Sequence, residues 1–460
     1  MSKAELASLT ENKMGTKPVF PLLMTMAFPA MLSMLIQSLY NIVDSMFVAR
    51  ISEEALTAVS LAFPIQSFII AVSVGTGVGC NSLISRKLGE GLRDEANSAV
   101  THGLILAAIS SVVFIIFGMV CSEPFIRMFT DSENVVQLGT SYTYIVTIFS
   151  FGSLIHITIE KILQATGRMI YPMIFQAVGA IINIILDPIL IFGMFGMPAM
   201  GVKGAAIATI IAQIISMSMA LLTLIFAKND VKIKIKSFKF KMKMIKDIYD
   251  VGFPTIVMYS LGSLLIVGVN VILIKISEVS VAFFGVYFKL QQFIFMPVNG
   301  LIQGAMPIMG YNYGAKNRKR LMETLKWSLI VSTIIMAFGN FIFAMWPEFF
   351  LRLFDASDRM LEIGKTGTII ISFSYIAAGV AFMYSTLFQA IGKGGYSLLI
   401  ALLRQGAIIL PLGAFLSINY GLIGFWITFP IAEIISAIVS VVLYKKVARE
   451  NPVFYVKPSA

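Results

Sequence analysis

Two aspartates in this chain occupy positions where aspartates are rare. Asp44 lies inside a run of about 20 apolar residues, the length that crosses a bilayer, and Asn41 precedes it on the same helical face. A later apolar run carries Asn183 and Asp187, four residues apart, with Pro188 loosening the backbone beside them. The run after that places Thr209 and Gln213 on one face. An ionisable group at such depth costs roughly 3 kcal/mol or more, which makes it a candidate functional site by default. Two carboxylates brought together cannot both ionise cheaply, so one takes a proton or a cation settles between them. The chemistry to expect from Asp44, Asn183, Asp187 and Thr209 is therefore reversible uptake of H+ or of a monovalent metal cation such as Na+. That requires three helices to converge; the alternative is two separate, hydrogen-bonded acids with structural roles. Pro29, earlier on the helix of Asp44, removes a backbone hydrogen bond and marks a place where that helix can bend.

Other polar residues inside or at the ends of apolar runs are fewer. Arg404 and Glu433 fall at similar depth on consecutive runs and most simply neutralise each other, with substrate sensing or a second coupling role as the alternative. Lys289 also lies within a run. Glu160 sits beside Lys161 near the end of its run, as an interfacial ion-pair residue or a contact for a cation or drug. His102 and His156 are isolated and read as packed or interfacial, and Cys80 and Cys121 as separate thiols. There is no nucleophile elbow, phosphate-binding loop, dinucleotide fingerprint or cluster of metal ligands. The expectation is a protein that is not an enzyme and has no cofactor beyond a coupling ion.

Stepping outward from these residues, the chain of 460 residues is 58% hydrophobic and 13% charged. A soluble domain carries about 25% charged residues, so this is an integral membrane protein with no sizeable soluble domain. Twelve apolar segments can be marked, at 20–49, 57–85, 97–121, 137–160, 169–195 and 201–227, then 248–275, 281–309, 322–346, 362–388, 396–418 and 421–444. The first reads as a retained span rather than a cleaved leader. With the N-terminus inside, 26 of the 35 Lys and Arg residues fall on the cytoplasmic side, as the positive-inside rule requires. Both termini are then cytoplasmic. That rule also accounts for the net charge of +11 without nucleic acid. The one long connection, 228–247, carries eight lysines alternating with Ile, Phe and Met, among them Lys232, Lys234, Lys236, Lys239 and Lys241. It reads as a solvated linker whose lysine stems rest on anionic headgroups.

The chain also repeats. Sliding it by 225 residues aligns 28–171 with 253–396 without a gap and gives 30 identities over 144 positions. Phe28-Pro29 meets Phe253-Pro254, Gly75 and Gly79 meet Gly300 and Gly304, and Gln164-Ala165 and Gly167 meet Gln389-Ala390 and Gly392. Past that point the register slips by five, and Gly201 and Gly204 meet Gly421 and Gly424. Six spans per half bring both halves in from the same side, as parallel repeats about an axis along the membrane normal, with a cavity expected between them. The expected architecture is all-α, with twelve transmembrane helices in two six-helix bundles. The expected divisions are 1–227, a basic linker at 228–247, and 248–460. The positions offset from Asp44 and Asp187 are Val269 and Leu412, so ion chemistry belongs to the first half alone.

Pro29 with Asn41-Ile42-Val43-Asp44, Gly89-Glu90-Gly91, Gly310-Tyr311-Asn312-Tyr313-Gly314-Ala315, Gln164-Ala165-Thr166-Gly167-Arg168 and Asp187-Pro188 together resemble the multidrug and toxic compound extrusion (MATE) transporters. The resemblance covers nearly the whole chain. It implies a multi-pass antiporter of the bacterial cytoplasmic membrane, acting as a monomer, that exports small organic, cationic and amphipathic compounds against inward H+ or Na+. It also implies that Asp44, Asn183, Asp187 and Thr209 are the ion ligands, with Pro29, Asn41, Pro188 and Gln213 in support. A second-half cation site, present in one branch of the family, is not expected here, because 253–274 and 362–388 offer only Glu362. The rival reading is a flippase for lipid-linked oligosaccharide or polysaccharide, which should line its cavity with several cationic residues.

Overall fold

The structure is a computed structural model, and it describes residues 12–234, 238–354 and 356–454. Lys236 of the lysine-rich connection lies outside the described residues. Every regular element among the described residues is helical, as long apolar runs demand, because a backbone that leaves water must satisfy its hydrogen bonds within its own segment. A short α1 (Lys13–Thr16), capped by the side chain of Asn12, precedes the first span. Then follow α2 (Val19–Ala49), α3 (Glu53–Gly89), α4 (Arg93–Arg127), α5 (Glu133–Ile148), α6 (Phe151–Ala165), α7 (Ile170–Phe192) and α8 (Val202–Phe226). Past the lysine-rich connection come α9 (Met242–Leu273), α10 (Glu278–Gly314), α11 (Arg318–Met345), the short α12 (Pro347–Arg352), α13 (Asp358–Ser372), α14 (Tyr375–Ala390), α15 (Gly394–Leu402) and α16 (Ile409–Glu450).

Twelve spans emerge from these elements. Nine runs are long and apolar enough on their own, and two further spans are bent pairs, α5 with α6 at 46° and α13 with α14 at 44°. The last of the nine, Gly394–Glu450, breaks at Gly421, whose φ of 60° and ψ of −144° are not helical, and so supplies two spans. The twelve segments marked from the sequence correspond to these one for one, with most helices running a few residues past the marked ends and α7 and α8 stopping short of them.

The repeat is written in the backbone as well as in the residues. The two bent spans bend at equivalent places, at Phe149-Ser150 and Phe373-Ser374. Gly201 and Gly421, paired by the slipped register, adopt nearly the same conformation, φ 54° ψ −130° and φ 60° ψ −144°. That region is open essentially to glycine alone.

The chain packs as two compact units: Met1–Met31 with Leu88–Gly91 and Val257–Ala460, and Leu32–Lys87 with Leu92–Ile256. Two of the divisions inside a helix fall two residues after a proline, Pro29 in α2 and Pro254 in α9, and both helices run unbroken through it. Within each unit a pair of glycines spaced by four lets two helices touch. A Cβ on Gly79 of α3 would stand 2.2 Å from the Ile248 carbonyl oxygen of α9, and one on Gly304 of α10 would stand 2.7 Å from the Ala27 backbone nitrogen of α2. Small residues at this spacing permit the close helix approach that stabilises bundles in lipid. Cys80 is buried and Cys121 half-buried, and both are free thiols.

Candidate functional site

The end of the second unit away from the lysine-rich connection collects polar side chains from α2, α7 and α8. Asp187 stands five residues before the end of α7 and has no exposed surface. Asp44 stands five residues before the end of α2 and is half-buried. The two carboxyl groups lie within hydrogen-bonding reach of each other. Asn183, one helical turn before Asp187, links that residue to α8. Its amide nitrogen donates to Asp187 Oδ2 at 2.9 Å, and its oxygen accepts from the Thr209 backbone N–H at 3.2 Å. Pro188 contributes no N–H, so the Ile184 carbonyl loses its helical donor beside the site. A cluster of Val48, Ala55, Ala62, Tyr142, Val146, Ile191, Val202, Ala205 and Ala206 packs around this end of the unit.

Two tyrosines that the sequence reading passed over complete the pocket. The Tyr40 side chain lies beside that of Thr209 and close to Asp44 and Asp187. Tyr142 of α5 faces the same acids, and its hydroxyl accepts from Gln66 Nε2 at 3.1 Å. Tyr40 precedes Asp44 by one turn on the same face, a signal available from spacing. Tyr142 reaches the site only through the packing of α5, and nothing in its neighbourhood in the sequence announces it. One layer toward the connection, Gln176 Nε2 donates to Gln37 Oε1 at 2.9 Å, joining α7 to α2.

The pocket suits a cation. Asp44 Oδ1 is enclosed and has no hydrogen-bond partner among the described residues, an acceptor left over for something positively charged. A cavity of about 240 Å³ runs along α2 and α3 between Asp44, Ser45, Val48, Leu56, Val59, Ser60 and Phe63. Its volume falls below the 300–1,000 Å³ of typical sites for drug-sized ligands, and Asp44 is part of its lining. No group of three or more His, Cys, Asp and Glu assembles among the described residues.

The remaining expected residues are dispersed. Asn41 is exposed, and its carbonyl accepts from Ser45 Oγ at 2.8 Å. Gln213 is half-buried one turn beyond Thr209. Glu160 is buried with Lys161: its Oε1 accepts from Gln164 Nε2 at 2.8 Å and from Lys161 Nζ at 3.3 Å. In the other unit, Arg404 donates to both oxygens of Glu433 at 2.7 and 2.8 Å, and its guanidinium lies 4.0 Å from the centre of the Phe382 ring. Arg404 sits on a π-helical turn, Leu403–Ala407, inside the eleventh span. Such a turn re-aims a side chain, recurs at functional sites, and had no sequence signal here. Lys289 is exposed on α10.

Comparison with known proteins bears on the family and the fold. The MatE family model matches twice, over residues 29–189 and 254–415, the same two stretches that the internal repeat relates. Similar curated proteins include the multidrug export protein MepA of Staphylococcus aureus, 26% identical over 436 residues covering 93% of each chain. An FAD transporter of Shewanella oneidensis is 24% identical over 432 residues, covering 94% of this chain and 96% of that one. A transporter of the MOP superfamily from Pyrococcus furiosus superposes with a TM-score of 0.88 at 23% identity, covering 99% of this chain and 100% of that one. An outward-facing multidrug resistance MATE transporter superposes with a TM-score of 0.87 at 24% identity, covering 97% and 98%. A twelve-span protein built as two repeats, each matched in turn by one family model, this chain belongs to the MatE family of transporters.

Proposed function

We propose that this protein is an antiporter of the bacterial cytoplasmic membrane that exports small organic, cationic and amphipathic compounds in exchange for H+ or Na+. It works as a monomer by alternating access of its two halves, with both termini in the cytoplasm. The observation that carries this reading is the meeting of Asp44, Asn183, Asp187 and Thr209 around an acceptor oxygen with no partner. The absence of acids at the repeat-related Val269 and Leu412 supports a single coupling site in the first half.

The step follows from electrostatics. Two unit charges about 4 Å apart at an effective dielectric near 20 interact by about 4 kcal/mol, so a pair of adjacent carboxylates holds its place only with a positive charge shared between them. An ion arriving along the Asp44 cavity removes that repulsion, and α2 can then repack about Pro29. The compound leaves as the ion is taken up, and the ion is released inside when the halves exchange access. When the exchange is electrogenic, with one more positive charge moving in than out per cycle, it gains about 2.3 kcal/mol per 100 mV of membrane potential, enough for tens-fold accumulation of substrate outside.

Efflux of norfloxacin or ethidium from cells lacking their own pumps, with and without Na+, tests the proposal. Asp44→Asn and Asp187→Asn should each abolish efflux at normal expression, and the Na+ arm should separate the two coupling ions. Full efflux by either variant would remove the coupling role. The flippase reading finds less support, because Arg404 is neutralised by Glu433, Lys161 is paired with Glu160, and Lys289 is exposed.

A further inference from the structure

We propose that the lysine-rich connection and the start of α4 form a binding site for the phosphate of one anionic phospholipid headgroup. A cavity of about 270 Å³ lies between them, lined by Asp94 and Ser98 of α4 and by Lys234, Phe238, Lys239 and Lys241 of the connection.

The described parts of the connection are tied down at three points. Buried side chains of α4 hold its backbone on both sides of the cavity. The Lys232 N–H donates to Asn97 Oδ1 at 2.6 Å, the Lys234 N–H to Thr101 Oγ1 at 3.1 Å, and the Lys241 N–H to His102 Nε2 at 3.0 Å. His102 Nδ1 is 2.8 Å from the Ser98 carbonyl oxygen. That contact places the imidazole proton on Nδ1 and leaves Nε2 as the acceptor the connection uses. The ring packs against Phe238 and Phe240, at 4.7 and 6.0 Å between centroids. A solvated tether needs none of these contacts, whereas a site must be held in shape before its ligand arrives.

The charge favours an anion. Three lysines line the cavity against one aspartate, and Asp94 pairs with Lys234. Among the described residues, neither Lys239 nor Lys241 lies within ion-pair distance of a carboxylate. The neighbouring residues favour a lipid over a free anion. Phe240 is 57% exposed and Met242 is 70% exposed, and they alternate with Lys239, Lys241 and Lys243. Apolar side chains interleaved with ammonium groups are the pattern that seats a segment at the interface, tails in the acyl region and charges at the phosphates.

The test uses the full chain in nanodiscs and by mass spectrometry under non-denaturing conditions. Wild type should retain one phosphatidylglycerol per chain and melt higher in phosphatidylglycerol than in phosphatidylcholine. Lys239→Gln with Lys241→Gln keeps every backbone contact and should bind phosphatidylglycerol about thirtyfold more weakly, while melting like wild type in phosphatidylcholine. Lys228→Gln with Lys246→Gln removes equal charge away from the cavity and should bind like wild type. An equal loss in that control would reduce the effect to diffuse attraction and overturn the site. Inorganic phosphate at millimolar concentration should neither displace the lipid nor raise the melting temperature; if it does both, the ligand is free phosphate and the lipid assignment fails.

Discussion

Asp187 is fully enclosed, whereas Asp44 keeps part of its surface on a cavity. In the proposed exchange an arriving ion meets Asp44 first, and Asp187, tied to Asn183, is the fixed partner. The other buried charge pair makes a sharper statement about stability. Arg404 and Glu433 are 7% and 9% exposed and joined by two hydrogen bonds. Removing one member strands the other, a loss of about 3–5 kcal/mol, whereas replacing both with apolar groups of similar volume is far milder. Unfolding of the purified protein should show Arg404→Gln strongly destabilised and the double change Arg404→Met with Glu433→Leu much less so. Equal losses in the two would mean that the arginine matters through its packing on Phe382 rather than through its charge.

At the scale of elements, the two glycine pairs explain why helices from opposite ends of the sequence lie in one unit. Gly79 lets α3 meet α9, and Gly304 lets α10 meet α2. Backbone atoms cannot yield as a side chain can, so Gly79→Val should lower stability by about 1–3 kcal/mol or more, visible as a lower melting temperature or loss of monodispersity. Gly285→Ala on α10, where a Cβ meets nothing within 4 Å, is the control and should be neutral or stabilising by about 0.5–1 kcal/mol. A tolerated valine at position 79 would show that the crossing is looser than the contact distance implies. The π turn that carries Arg404 belongs to this scale too, because one widened turn directs the side chain toward Glu433.

For the whole molecule, the repeat fixes build but not chemistry. Both halves share bends and the Gly201 and Gly421 conformation, while acids sit together only in the first half. The arrangement of lysines and arginines predicts the orientation directly. In a chain with Cys80 and Cys121 replaced by serine, a cysteine at Asp131 should react with an impermeant maleimide on intact cells. One at Lys319 should react only after permeabilisation. The reverse pattern would invert the proposed direction of exchange.

The number of spans, the doubling of the bundle and the polar residues at depth were legible in the sequence, because lipid imposes length and apolarity on every crossing segment. Asp44, Asn183, Asp187 and Thr209 stood out for the same reason, each being costly where it lies. What the sequence left open was which costly residues face each other. Tyr40 and Tyr142 enter the pocket, Asn41 turns out of it, and Arg404 reaches Glu433 through a π turn. Those outcomes depend on helix rotation and on side-chain packing between segments far apart in the chain. Local periodicity carries no record of either, so the tertiary structure alone decided them.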